Sequence, residues 1–230
     1  MALRVARGRE AVTAPVALSR PELLVVLSRV DGPAAACAEV LLRQVLAELT
    51  GTPAAAHVFD RTCQRCGDRS HGKPVLQHPS LHTSRSYAGG MLAVAVSTAG
   101  PVGVDVEQVS GTAFDGFAEV ALAPDERDGT PSERTRAWTR KEAALKARGT
   151  GLSVDPRTVD VRRDRVPGRP PCHLFDVAVP DGMVCAAAVL SHRRPRVRVE
   201  GRGLSGPAAA APARAPTAAA APPPAHPPAP

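Results

Sequence analysis

Aromatic residues are scarce in this chain, and that scarcity limits what the protein can be. The 230 residues include only four Phe, one Tyr and one Trp. Proteins that bind single-stranded nucleic acid usually stack successive bases on aromatic side chains, so this class is disfavoured. The core must instead be built mainly from Val, Leu and Ala.

The chain also lacks long apolar runs and a regular cysteine pattern. No apolar stretch reaches the ~18 residues that a membrane-spanning helix needs. Arg4, Arg7 and Arg9 stand near the N-terminus without the apolar core of a signal peptide behind them. Five cysteines, an odd and sparse set, are typical of free thiols in a reducing compartment. We therefore expect a cytoplasmic, monomeric protein that makes no use of a membrane.

Acidic residues are outnumbered, which leaves a formal net charge of +7. A basic excess attracts acidic partners by long-range steering, and both nucleic acid and an acidic carrier protein satisfy that condition.

Residues 201–230 hold twelve Ala and nine Pro with no acid and no aromatic residue. Such a segment cannot offset its chain entropy by burial, so we expect a disordered tail there.

Apolar periodicity predicts an α+β fold in the remaining 200 or so residues. We assign residues 1–100 to an N-terminal lobe and residues 101–200 to a C-terminal lobe. Helices are expected over 33–49, 113–122 and 133–148. Strands are expected over 22–27, 91–97, 102–106, 158–162, 175–179, 184–190 and 197–199.

The segment 138–146 (Trp-Thr-Arg-Lys-Glu-Ala-Ala-Leu-Lys) is the most informative stretch of the sequence. Residues four apart are neighbours on a helix, so Trp138, Glu142 and Lys146 share one face. An isolated Glu–Lys pair at this spacing usually only supports its helix. Lys141 faces another way, and we expect it to be structural or solvated, with Trp138 a packing anchor.

A carboxylate pair precedes this helix in the strand 103–107 (Gly-Val-Asp-Val-Glu). Alternate residues of a strand point to the same side, so Asp105 and Glu107 face one way. Alone, such a pair is often just a solvated strand end. Together with Glu142 and Lys146, it suits a magnesium ion that bridges a phosphate.

The two segments resemble the signature motifs of the 4′-phosphopantetheinyl transferases of the surfactin-synthetase-activating type. That family carries Gly-Val/Ile-Asp-Val/Ile-Glu and then Trp-x-x-Lys-Glu-Ala-x-x-Lys, and both stand here intact and in order. The resemblance covers about residues 20–190. It implies two similar α/β lobes in a pseudo-twofold arrangement, with the active site in the cleft between them.

The resemblance also implies a reaction. A member of this family transfers 4′-phosphopantetheine from coenzyme A to a serine of an acyl or peptidyl carrier protein, in fatty acid, polyketide or nonribosomal peptide biosynthesis. Asp105, Glu107 and Glu142 would then bind Mg²⁺. Asp105, Glu142 and Lys146 would be catalytic, with Glu142 taking the serine proton and Lys146 neutralising charge on the pyrophosphate.

Further positions match the family's coenzyme A site. Lys73 and Pro74 stand in a Gly-Lys-Pro motif, and Lys146 would contact the pyrophosphate. Ser84 and Arg85 lie where the family has Ser and His. Arg can grip phosphate in a bidentate fork, so the exchange could preserve phosphate binding. The family's first helix usually supplies an arginine, and Arg43 is the candidate here.

Two other interpretations remain open at this stage. The family's upstream first-helix arginine is missing, and Leu81 and His82 replace its Phe and Asn, so the chain could be a non-catalytic member that binds carrier domains. A basic, zinc-bearing nucleic-acid-binding protein is the other alternative, because Cys63, Cys66 and His71 have the spacing of a truncated zinc knuckle. We favour the transferase and expect no nucleic-acid partner.

Overall fold

The computed structural model describes residues 22–31, 34–62, 66–68, 74–112 and 114–203, and two four-stranded sheets dominate it. The first sheet has the order β10-β1-β5-β4, with β1 Glu22–Arg29, β4 His82–Ala88, β5 Met91–Ser97 and β10 Arg196–Arg202. The second has the order β6-β9-β8-β7, with β6 Val102–Gln108, β7 Arg165–Val166, β8 Cys172–Val177 and β9 Met183–Leu190. A short hairpin pairs β2 Phe59–Asp60 with β3 Val75–Leu76, and the helices are α1 Ala34–Thr50, α2 Phe117–Ala121 and α3 Pro131–Arg148.

The two sheets pack face to face, and one long helix covers the outer face of each. Alternate residues of β1 and β5 meet alternate residues of β6, β8 and β9 in the core between the sheets. The opposite residues of β1 and β5 pack against α1, and those of β8 and β9 pack against α3. The mixed α+β architecture predicted from the sequence is therefore confirmed.

The same order of elements along the chain builds the central part of each sheet. A strand is followed by a helix and then by two antiparallel strands, the second of which pairs with the first strand. The first sheet uses β1, α1, β4 and β5 in this way, and the second uses β6, α3, β8 and β9. This shared order is compatible with two similar lobes. The pseudo-twofold relation between them stays a prediction.

The last strand crosses back to the first sheet. β10 runs parallel to β1, with Val199 opposite Val25. The sequence pattern grouped 197–199 with the strands of the C-terminal lobe. Gly201 and Arg202, which we assigned to the tail, are the final residues of this strand. Residues 204–230 lie outside the described part of the chain.

The strand expected over 158–162 is wrong. Pro156–Thr158 form a 3₁₀ turn that Asp155 caps through its carboxylate, and residues 159–162 are not in a strand. Asp160 accepts the backbone N–H of Arg162 at 3.0 Å, a local bond that competes with strand pairing. Val159 and Val161 are buried against α3, which explains the alternating pattern that suggested a strand.

Local signals set both ends of α3. Thr130 and Glu133 form a capping box, and Pro131 occupies the first turn, where its missing N–H costs nothing. Gly149 ends the helix in the left-handed conformation. The helix therefore spans the whole signature segment and presents Glu142 and Lys146 from one rigid element.

Candidate active site

A cluster of three polar side chains lies at the seam where β4 of the first sheet meets β6 of the second. Lys146 Nζ is 2.5 Å from Asp105 Oδ1, and the Ser86 hydroxyl donates to the same oxygen at 2.8 Å. Lys146 Nζ also lies 3.3 Å from Ser86 Oγ. Strand β6 thus contributes Asp105, the edge strand β4 contributes Ser86, and helix α3 contributes Lys146.

Asp105 is the most deeply buried member of this cluster. Its side chain is 2 % exposed, against 28 % for Lys146. Both donors use Oδ1, whereas Oδ2 is buried without a hydrogen-bond partner. Leaving a buried polar atom unsatisfied costs about 1–3 kcal/mol, and more for a charged group. A cation would satisfy this oxygen.

The two other carboxylates of the predicted site are electrostatically coupled to Asp105. Burial, together with repulsion from Asp105 and Glu142, raises the pKa of Glu107 to about 7, against the attraction of Lys146. Burial also raises the pKa of Glu142, with Lys146 opposing and Asp105 adding to the rise. The three carboxyl groups therefore lie close enough to repel one another when ionised, at the position where the sequence predicts a metal ion.

The residue types at this seam fit a hard divalent cation. Three carboxylates and one ammonium carry a net charge of −2 when all are ionised, and oxygen donors are what Mg²⁺ prefers. Within the described ranges, however, no group of three His, Cys, Asp or Glu side chains is arranged to hold a metal ion. Lys146 instead pairs with Asp105, so binding a cation would require the carboxylates to close around it.

A second charged cluster lies between α1 and the first sheet, and Glu39 is its centre. Its carboxylate forms ion pairs with Arg43 at 3.1 Å, with Arg85 at 3.2 Å and with Arg61. Burial acts to raise the pKa of Glu39, but hydrogen bonds from Arg43 and Arg85 and the charge of Arg61 outweigh it and lower the pKa. Three guanidinium groups around one carboxylate leave a net charge of +2.

The two predicted coenzyme A arginines, Arg43 and Arg85, therefore meet at Glu39. Arg43 is further held by the backbone oxygens of Ala54 (3.2 Å) and His57 (2.8 Å), and it ties α1 to the loop that follows. Arg85 pairs in register with Val94, which faces α1.

The two clusters occupy opposite faces of β4. Ser84 and Ser86 pair with Ala95 and Ala93, which face the second sheet, whereas Arg85 points to the other side. Ser84 Oγ accepts the backbone N–H of Val104 at 3.1 Å, so it joins the sheets. A ligand that used both clusters would have to reach around the edge strand.

The remaining predicted binding residues are less informative. Pro74 is half-buried and immediately precedes β3, the strand that pairs with β2. Lys73 lies outside the described residues, as do Cys63 and His71. Because two of its three residues are outside the described part of the chain, the zinc interpretation stays a prediction; among the described residues, no group of three or more His, Cys, Asp or Glu side chains is arranged to hold a metal ion.

Trp138 and Lys141 support the helix. Trp138 packs edge-to-face on Phe117 with ring centroids 6.3 Å apart, as expected for a packing anchor. Lys141 is completely buried; Nζ lies 2.5 Å from Glu126 Oε2 and 3.0 Å from the Pro156 carbonyl oxygen. Of the two roles expected for Lys141, the structure shows the structural one.

Ser86, Glu39 and Arg61 were not among the site residues that the sequence predicts. The alternation of β4 could have singled out Ser86, because it shares a face with Ser84. Arg61 pairs with Glu39, although the two residues are 22 positions apart in the sequence. No local sequence pattern predicts such a contact.

Part of the chain is similar to a known protein family. Residues 101–175, about a third of the chain, match the family model of the 4′-phosphopantetheinyl transferase superfamily. This region holds β6, α3 and the first part of β8, and with them Asp105, Glu107, Glu142 and Lys146. No curated protein matches the chain. Over this third of its length the chain is therefore similar to transferases of the phosphopantetheinyl type.

A membrane-spanning role finds no support in the helices. None of those in the described ranges has both the length and the apolar character that a membrane crossing requires.

Proposed function

We propose that this protein transfers the 4′-phosphopantetheine group of coenzyme A to a serine of an acyl or peptidyl carrier protein. The observation that carries the proposal is the buried Asp105 carboxylate, paired with Lys146 and coupled to Glu107 and Glu142. These residues lie inside the segment that matches the transferase superfamily. The resemblance to the surfactin-synthetase-activating type extends the proposal to the remainder of the chain.

The reaction replaces one phosphorus–oxygen bond by another. The carrier serine oxygen bonds to the phosphorus that bears pantetheine, and the bond from that phosphorus to the oxygen of the leaving group breaks. The serine hydroxyl loses its proton, and adenosine 3′,5′-bisphosphate departs with the electron pair. The products are the holo-carrier protein and the bisphosphate.

Glu142 is the group proposed to accept the serine proton. A general base works best when its pKa lies near the working pH, and burial raises the pKa of Glu142 in that direction. Its place on the rigid helix α3 fixes where the proton is received.

Lys146 is proposed to neutralise the charge that develops on the pyrophosphate. Its ammonium group is already at the seam and is partly exposed, so an incoming phosphate can reach it. Preorganised charge of this kind is a large contribution to phosphoryl transfer. Asp105, Glu107 and Glu142 would hold a magnesium ion, whose chemistry is to bind pyrophosphate oxygens and offset their charge.

The cluster of Arg43, Arg61 and Arg85 is proposed to bind the 3′-phosphate of coenzyme A, which is separate from the pyrophosphate. Arg43, Arg61 and Arg85 carry more positive charge than Glu39 cancels, and Arg recognises phosphate through two parallel hydrogen bonds. Phosphate would compete with Glu39 for these guanidinium groups. Lys73 and Pro74 remain further candidates on the family resemblance.

The test is a transfer assay read by intact mass. Purified protein, coenzyme A and Mg²⁺ are mixed with apo-carrier domains from fatty acid, polyketide and nonribosomal peptide systems. The expected result is the gain of one phosphopantetheine on at least one carrier, abolished by a chelator of divalent metals and by Asp105→Asn. Glu119→Gln, an exposed acid on α2, is the matched control and should retain activity.

Two outcomes would contradict the proposal. Transfer that persists in the presence of the chelator would exclude the metal assignment. Carrier binding without a mass gain on any domain would instead indicate a non-catalytic carrier-binding protein.

A further inference from the structure

One hydrogen bond at the seam joins the two sheets directly through a functional side chain. Ser86 belongs to β4 of the first sheet, and Asp105 belongs to β6 of the second. The Ser86 hydroxyl donates to Asp105 Oδ1 at 2.8 Å and lies 3.3 Å from Lys146 Nζ. Ser86 therefore touches both the acid and the base of the cluster.

This contact restricts how the Asp105 carboxylate is oriented. Oδ1 is held by two donors, the Ser86 hydroxyl and the Lys146 ammonium. A carboxylate is planar, so fixing one oxygen from two directions also fixes where the other oxygen points. That other oxygen, Oδ2, is buried and has no hydrogen-bond partner.

We propose that Ser86 is a positioning residue for a divalent cation. Its hydroxyl keeps Asp105 Oδ1 turned toward Lys146, so that Oδ2 is presented to the ion. The inference rests on the proposed function, because the ion is the one invoked there. Groups that orient a metal ligand without touching the metal commonly change its affinity 10–100-fold when they are removed.

Lys146 alone would not give the same constraint. Its ammonium is on a long, flexible stem and is 28 % exposed, so it can move with an incoming phosphate. Ser86 has a short side chain on a strand that is paired along its length with β5. Ser84 shares its face but accepts the backbone N–H of Val104. The fixed donor to Asp105 is therefore Ser86.

Direct cation binding tests this role without relying on activity. Mn²⁺ is titrated into the full-length protein without coenzyme A, and free Mn²⁺ is measured by electron paramagnetic resonance. Ser86→Ala should weaken binding by about ten-fold or more. Ser86→Thr keeps the hydroxyl and should bind nearly as well as the wild type. The matched control is Ser97→Ala, which removes a buried hydroxyl that accepts from Ala99 N elsewhere in the first sheet.

Ser86→Cys provides a second variant if Ser86→Ala does not fold. It keeps the size of the side chain but offers a weaker donor, so it should also weaken binding. Circular dichroism confirms that each protein is folded before the titration.

The outcomes separate this inference from the proposed function. Equal Mn²⁺ affinity in the wild type and Ser86→Ala, with normal phosphopantetheine transfer, would overturn the positioning role and leave the function intact. Weaker binding in Ser86→Ala, in a protein that transfers nothing to any carrier, would support the positioning role and overturn the function. A wild type that binds no Mn²⁺ would overturn the positioning role.

Discussion

Gly103 on β6 lies directly against the backbone of α3 at Ala143. A Cβ at this position would come within 1.9 Å of the Ala143 carbonyl oxygen and 2.6 Å of the Ala147 nitrogen. Only a residue without a side chain allows this approach. The approach brings Lys146, on the helix, within reach of Asp105, two residues further along the strand.

Gly103→Ala should therefore push the helix off the sheet. Because backbone cannot yield as a flexible side chain does, we expect a loss of about 3 kcal/mol or more, at the upper end of overpacking effects. Urea unfolding measures the change. Gly111→Ala, whose Cβ would meet nothing closer than 3.8 Å, is the control. Similar stability of the two variants would show that the contact is not tight.

Glu142→Gln should abolish transfer without destabilising the protein. The substitution removes one of three mutually repelling carboxylates, so the melting temperature should stay the same or rise. Loss of a metal ligand and proposed base should lower the transfer rate by at least about a hundred-fold. Near-wild-type turnover by intact mass would reduce Glu142 to helix support.

The stability of the metal-free protein should depend on the ionisation of Glu107. Its folded pKa is raised to about 7, above the ordinary value of 4.5, so the folded state holds this proton more tightly than the unfolded state. The resulting stabilisation is fully present below pH 4.5 and is lost as the pH rises through 7. The melting temperature, measured in the presence of a chelator, should fall by a few degrees as the pH rises from about 5.5 to about 8.

Glu107→Gln is the comparison for that pH dependence, because the glutamine side chain of the variant cannot ionise. Its melting temperature should change less over the same interval. Adding Mg²⁺ should raise the wild-type melting temperature most above pH 7, where Glu107 is ionised. An equal pH response in the wild type and the variant would assign it to another group.

Glu39 and Arg85 should have opposite effects on coenzyme A binding. Arg85→Ala removes a charge-assisted contact worth about 1.5–3 kcal/mol, so the Michaelis constant for coenzyme A should rise about ten- to a hundred-fold. Glu39→Gln removes the carboxylate that competes with phosphate for the arginines, so the Michaelis constant for coenzyme A should fall. Both effects should shrink with dephospho-coenzyme A if the 3′-phosphate is the partner. Unchanged constants in both variants would place phosphate binding elsewhere.

The buried Lys141–Glu126 pair should matter for stability. Lys141→Met leaves Glu126 buried without its cation, and breaking such a pair typically costs about 3–5 kcal/mol. Adding Glu126→Gln should recover part of that loss, because the uncompensated charge is removed. Chemical unfolding of both single variants and the double variant measures the coupling. Additive losses would mean that the two side chains act independently.

Strands and helices with strong apolar patterns could be predicted from the sequence. β5 coincides with the predicted strand 91–97, and α1 and α3 begin and end within two residues of their predicted bounds. β4 was not predicted. Its residues are mostly polar, because one face points into the seam and it lies at the edge of its sheet.

The chemistry of the candidate site can be read from the order of the residues: two carboxylates on one face of a strand, and an acid and a base one turn apart on a helix. These pairings follow from periodicity, which is local. Three other features arise only when the chain is folded: Ser86 contacts Asp105, three arginines pair with Glu39, and β10 pairs with β1. Such contacts join distant segments, and they are selected by how the two sheets and their helices pack rather than by any local preference of the chain.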